Sequence, residues 1–155
     1  EGQHKIEDDQ SVDQATLSLL FAADRCDHAQ REVLPAMKAG AVVVSDRWYH
    51  SSLAYQGSEK ERAWIMELNR HALRPDLTIF LKVDPIVAAD RRQSANRSEE
   101  IFDDIGFQKR VAEGYDAALS ALSAFEKIEV LDGDRAPNII AKEIAAEVLN
   151  LLRAR

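Results

Sequence analysis

Residues 41–47 read Ala-Val-Val-Val-Ser-Asp-Arg, an apolar run dominated by β-branched valine that ends in an acid–base pair. No polar residue alternates with the valines, so the run has the pattern of a strand buried on both faces. Working outward, Leu77 to Val83 (LTIFLKV) and Lys127 to Leu131 (KIEVL) also have strand character, and helical sequence follows each. Asp84-Pro85 sets a capping carboxylate before a proline at a first helical position. Ala136-Pro137 does much the same before an amphipathic tail of Ile139, Ile140, Ile144, Ala145, Val148, Leu149 and Leu152. Upstream, Ser11 with Gln14 has capping-box spacing, and Val12, Ala15, Leu17, Leu19, Leu20 and Phe21 follow on a broad helical face. A second helical pattern, Ala29, Val33, Leu34 and Met37, ends at Gly40, a residue suited to a left-handed cap. Strands separated by helices imply crossover connections and a parallel sheet covered on both faces. The expected class is α/β, in three layers, α/β/α.

The chain of 155 residues fits one domain, spanning 1–155, and is long enough to bury a core without staples. Cys26 is the only cysteine, so no internal disulfide can form, which suits a reducing cytosol. With 46% hydrophobic and 30% charged residues the composition is that of a globular protein rather than a disordered one. The longest apolar runs, such as Ala41 to Val44, are far too short to cross a bilayer, and no apolar segment opens the chain. A soluble protein with no membrane partner is expected. Twenty Lys and Arg against 27 Asp and Glu give a net charge of −7, which argues against extended nucleic-acid binding. A small anion remains a candidate ligand wherever arginines gather.

In an open parallel sheet, ligands bind beyond the carboxyl ends of the strands. There the first run delivers Asp46 and Arg47. A carboxylate in that position can stand beside Mg²⁺ and its waters in phosphotransferases, and an adjacent arginine can grip a phosphate with two parallel hydrogen bonds. A surface turn with an incidental ion pair would have the same spacing. Trp48 to Gly57 (WYHSSLAYQG) then supplies hydroxyls, an amide and aromatic rings over one or two helical turns, as a site for a base and a sugar would, or as an ordinary packed helix would.

Three segments, Leu19 to Arg25 (LLFAADR), Val43 to Gly57 (VVSDRWYHSSLAYQG) and Pro75 to Pro85 (PDLTIFLKVDP), together resemble the thymidylate kinase family. The resemblance runs from about Leu17 to about Leu149. It implies an ATP-dependent phosphotransferase acting on dTMP with Mg²⁺, of the P-loop nucleoside monophosphate kinase type, in a cytoplasmic homodimer. Residue by residue, it implies that Phe21 stacks on thymine and Arg25 donates to a base carbonyl. Asp46 would orient the metal or its waters, and Arg47 would hold the nucleotide phosphate. Ser52 and Gln56 would make polar contacts to the base, and Tyr55 would lie against the deoxyribose and disfavour a 2′-hydroxyl. Residues from about 93 to 103 would be the lid over ATP, with Arg92 and Arg97 as the arginines reaching its phosphates.

Other residues carry less. His50 reads as a solvent-facing histidine, since this chemistry does not demand a histidine base. Trp48 stands where Tyr or His is more usual, a change of packing. Lys82 stands where Asp is common and receives no catalytic role, and Tyr115 is a minor candidate for a ligand contact. The family's Walker A loop, G-x-x-x-x-G-K-[ST], has no counterpart here: no glycine is followed by lysine, and the six glycines lack its spacing. The expectation is therefore of an N-terminally incomplete kinase domain. The alternatives are a non-catalytic binding or assembly relative, and a nucleotide kinase with another base preference.

Overall fold

The computed structural model describes residues 13–56, 61–94 and 105–154. Helix α1 (Gln14–His28) starts at Asp13, whose carboxylate accepts the Thr16 amide hydrogen at 3.1 Å. The cap is thus Asp13, two residues beyond the expected Ser11, which lies outside the described residues. Nor does α1 end before the second helical pattern. Ala29–Val33 forms a π-helical turn that runs straight into α2 (Leu34–Lys38), with the Leu34 amide bonded to the Ala29 carbonyl. Pro35 explains the widened turn: it has no N–H for the carbonyl four residues back and its ring crowds that carbonyl, so the ladder shifts register instead of breaking. Gly40 closes the rod as the sequence suggests, at φ 86°, and the Ala41 amide reaches back to the Ala36 carbonyl at 3.0 Å.

Among the described residues the chain from 41 to 45 belongs to no ladder, and the expectation of a strand buried on both faces fails here. Val44 is 87% exposed. The physical reason is that extended backbone becomes a strand only against a partner edge. The described sheet has two strands, β1 (Thr78–Lys82) and β2 (Ile128–Asp132), paired in parallel from Thr78 opposite Ile128 to Lys82 opposite Asp132. Both were legible as apolar runs. A parallel pair needs a long crossover, here α5 (Pro85–Ser94) and α6 (Ile105–Leu122), and α7 (Pro137–Arg153) follows β2. Asp84 caps α5 as read, accepting the Ile86 amide at 2.7 Å, and α7 opens at Pro137. The architecture is a helix-rich α/β fold with a small parallel sheet. Among the described residues no helix is long and apolar enough to cross a membrane.

Between the valine run and β1 lie α3 (Tyr49–Gln56) and α4 (Arg62–Leu68). The core forms where α3 meets α4 and α6: Tyr49, Leu53, Ile65, Ala118 and Leu122, with Trp48, Ala72 and Ile128 against them. Helices α3 and α6 lie antiparallel, since Tyr55 faces Phe107 at one end and Tyr49 meets Glu126, just past α6, at the other. Gly114 permits that closeness, because a Cβ on it would run into the Ala54 carbonyl of α3. Gly114→Ala is expected to destabilise the protein by about 1–3 kcal/mol through overpacking, read as a fall in the urea midpoint.

Candidate nucleotide site

Arg25 sits on the inner face of α1, and 9% of it reaches solvent. Its Nη2 donates to Ser52 Oγ on α3 at 3.0 Å and its Nη1 donates to Asn69 Oδ1 at the end of α4. The guanidinium also lies over the Trp48 ring, 5.6 Å from its centroid. Asn69 is itself oriented, since its Nδ2 donates to the Ile65 carbonyl at 2.7 Å. Burial lowers the Arg25 pKa, with Cys26 and Asp24 opposing the shift; the group stays protonated. Two of its five N–H groups are engaged by these side chains, which leaves donors for a ligand carbonyl. Phe21, four residues earlier on the same face of α1, is 51% exposed and so is no core residue.

Beyond the valine run the chain turns sharply at Asp46 and Arg47. Arg47 has φ 65°, a left-handed conformation that costs a non-glycine residue roughly 1 kcal/mol or more and that concentrates at functional sites. Ser45 Oγ donates to the Arg47 carbonyl at 2.8 Å and holds the turn. The Arg47 guanidinium lies 5.4 Å from the Tyr55 ring centroid. Tyr55 in turn meets Tyr115 edge-on at 6.0 Å, and the Tyr115 hydroxyl and Ser51 Oγ share a 2.8 Å hydrogen bond. Burial raises the Tyr115 pKa, and the hydrogen bond with Ser51 opposes the shift. Asp46 is exposed, and among the described residues no three His, Cys, Asp or Glu side chains gather as a metal cage.

Several expectations change. His50 is buried rather than solvent-facing: its Nε2 lies 2.8 Å from Glu126 Oε2, the two side chains being 8% and 2% exposed. Tyr49 donates to the other oxygen of the same carboxylate. Trp48 does serve packing, with its indole N–H on the Leu73 carbonyl at 2.8 Å. Lys82 is paired with Asp116 at 2.9 Å. Arg91 of α5 donates to the Gly133 and Asp134 carbonyls at 2.9 and 3.2 Å, tying α5 to the loop after β2. The side chains of Gln56 and Arg92, all of Arg97, and the lid region beyond residue 94 lie outside the described residues. A cleft of about 220 Å³ lined by Tyr49, Leu53, Asn69 and Glu126 does not include Phe21, Arg47 or Tyr55. It is a separate feature, on the Tyr49–Leu53 side of α3. Asn69, Ser51 and Glu126 were missed in the sequence because nothing local marks them.

Residues 3–144 match the family model for thymidylate kinase. The chain belongs to the thymidylate kinase family. It is 36% identical over 144 residues to a probable thymidylate kinase of Pyrobaculum aerophilum, covering 92% of this chain and 72% of the relative. A probable thymidylate kinase of Thermococcus gammatolerans is 36% identical over 149 residues, 95% of this chain and 70% of the relative. One from Staphylothermus marinus is 41% identical over 99 residues, 63% of this chain and 50% of the relative. The thymidylate kinase family chain thus spans from half to under three quarters of the length of these relatives.

Asn69→Ala removes an acceptor from a buried cation and is expected to cost about 1.5–3 kcal/mol in urea unfolding. A second expectation concerns alkali. Burial, and then the bond to Glu126, raise the Tyr49 pKa above its ordinary 10.0. The folded state therefore holds that proton more tightly. Stability is fully present below the ordinary value and falls as pH climbs past it. Tyr49→Phe should flatten this alkaline decline in the urea midpoint.

Proposed function

We propose that the intact protein to which this chain belongs transfers the γ-phosphoryl group of ATP to dTMP, giving dTDP and ADP, as a thymidylate kinase. The observation that carries the reading is the buried Arg25, oriented by Ser52 and Asn69 on the same helix face as an exposed phenyl ring. A planar base fits between such groups: Phe21 covers a π-face and the free donors of Arg25 meet a ring carbonyl. Arg47 grips the monophosphate, and Tyr55 lies against the sugar where a 2′-hydroxyl would crowd it. Ser52 acts through Arg25 and Gln56 contacts the base directly. Arg92 and Arg97, with the lid of about 93–103, close over ATP and neutralise its phosphates once water is excluded.

An oxygen of the dTMP phosphate attacks the γ-phosphorus, and the bond from that phosphorus to the bridging oxygen of ADP breaks. No covalent enzyme intermediate is needed. The chain's part is alignment and charge neutralisation. Mg²⁺ fits the donor set, since that ion keeps most of its waters and asks the protein for one or two carboxylates, and Asp46 offers one. When bound, it neutralises phosphate charge. The same reading places the small sheet within a three-layer α/β/α fold of one kinase domain. It takes the working form to be a cytoplasmic homodimer, supported by the exposed Leu19 and Leu20 on α1.

Phosphorus NMR of the intact protein with ATP, Mg²⁺ and, in turn, dTMP, dCMP, dUMP and dGMP tests this. Conversion of dTMP well above the others is expected; conversion of another base in its place would overturn the assignment, and binding of dTMP without turnover would favour a non-catalytic relative. Arg47→Ala should lower kcat by about 10²–10³. Phe21→Ala should mainly raise the KM for dTMP, about tenfold, in line with a base–aromatic stack worth about 1–3 kcal/mol.

A further inference from the structure

Glu126 lies in the turn between α6 and β2, anchored by its own amide on the Leu122 carbonyl at 3.0 Å. Its carboxylate is as dry as any core group, with 2% of the side chain exposed. Both oxygens are used: Oε1 accepts from the Tyr49 hydroxyl and Oε2 lies 2.8 Å from His50 Nε2. The two donors are the first two residues of α3, 77 and 76 positions away in sequence. Their rings stack at 4.4 Å with planes 15° apart, so the carboxylate holds them as one unit. Thr78 Oγ1, 3.5 Å from His50 Nε2, ties the cluster to the start of β1. A negative charge at this end of α3 also has the favourable sign for the helix dipole. None of these groups enters the chemistry proposed above.

We infer that Glu126 is a positioning residue for the dTMP site, seating the N-terminus of α3 so that Ser52 meets Arg25 and so that Arg47 and Tyr55 are presented to the ligand in register with it. This inference rests on the dTMP kinase reading. Helix α3 has eight residues and carries a site contact on almost every turn: Ser51 to Tyr115, Ser52 to Arg25 and Tyr55 to Arg47. Arg47 lies two residues before it, in a strained turn. A helix so short moves as a rigid piece, and loss of the tether at one end shifts every contact along it. Displacements of about 1 Å at a reacting site can cost on the order of 10²-fold in rate. The tether relies on hydrogen bonds: among the described residues, no Lys or Arg forms an ion pair with Glu126. A neutral amide of the same shape can therefore replace it, keeping an acceptor for Tyr49 and offering an N–H to the other imidazole tautomer.

The test compares the wild-type protein, Glu126→Ala, Glu126→Gln and a control, Arg135→Ala, in steady-state kinetics and thermal unfolding. Arg135→Ala breaks the bidentate pair with Glu143 of α7, at 2.7 and 2.6 Å, which includes no residue of α3. Glu126→Ala is expected to raise the KM for dTMP about tenfold with the KM for ATP unchanged. Glu126→Gln should recover most of that loss, and Arg135→Ala should lower Tm without moving the KM for dTMP. An unchanged KM for dTMP in folded Glu126→Ala, or an equal rise in Arg135→Ala, overturns the inference. If Glu126→Ala does not fold, Tyr49→Phe and His50→Gln decide, each removing or altering one bond of the pair. A few-fold rise in the KM for dTMP supports the inference and no change in either overturns it. A wild-type protein that does not phosphorylate dTMP would instead overturn the kinase reading, and this inference with it.

Discussion

A guanidinium taken out of water must find acceptors or lose its place in the fold, and Arg25 finds them in elements far apart along the chain. Ser52 belongs to α3, Asn69 to the end of α4, and the Trp48 ring precedes α3. The charge therefore sets the mutual position of α1, α3 and α4 more strictly than apolar contact alone would. Apolar surfaces can slide at little cost, whereas a displaced hydrogen-bond acceptor leaves a buried charge unsatisfied. In the proposed kinase reading, fold and recognition are served by one group.

Helix α3 is the piece on which the other requirements converge. One side packs Tyr49 and Leu53 into the core, with Gly114 of α6 letting the backbones approach. The other side carries the hydroxyls and the ring that face Arg25, Tyr115 and Arg47. Its N-terminus is fixed by a buried carboxylate from the end of α6. The strained turn at Arg47 makes sense in that setting. A residue held in the left-handed region persists only when its surroundings over-determine it, and here the turn has the Ser45 hydroxyl on one side and the Tyr55 ring on the other.

What the sequence revealed was local, and what it hid was not. The caps at Asp84-Pro85 and Pro137, the glycine stop at Gly40 and the apolar runs of β1 and β2 were all visible in short windows. Asp46 and Arg47 stood out by their place after the valine run, Phe21 and Arg25 through the family resemblance; in the fold the phenylalanine is exposed and the arginine buried. The valine run misled because its composition describes a strand, whereas strand formation depends on a partner edge that composition cannot supply. Asn69 and Glu126 lie 44 residues from Arg25 and 76 from His50, so no window could join them. The sequence pattern of Ala29, Val33, Leu34 and Met37 gave no sign of the π-helical turn that precedes Pro35.

The most direct test of the central claim is the side-chain NMR signal of the Arg25 guanidinium, assigned by its loss in Arg25→Lys. A guanidinium fixed by Ser52 and Asn69 should give N–H resonances slow to exchange with water in the free protein, and these should shift on addition of dTMP but not of dCMP. A freely rotating, rapidly exchanging guanidinium that ignores dTMP would contradict the account, because the buried charge would then neither organise the helices nor read the base.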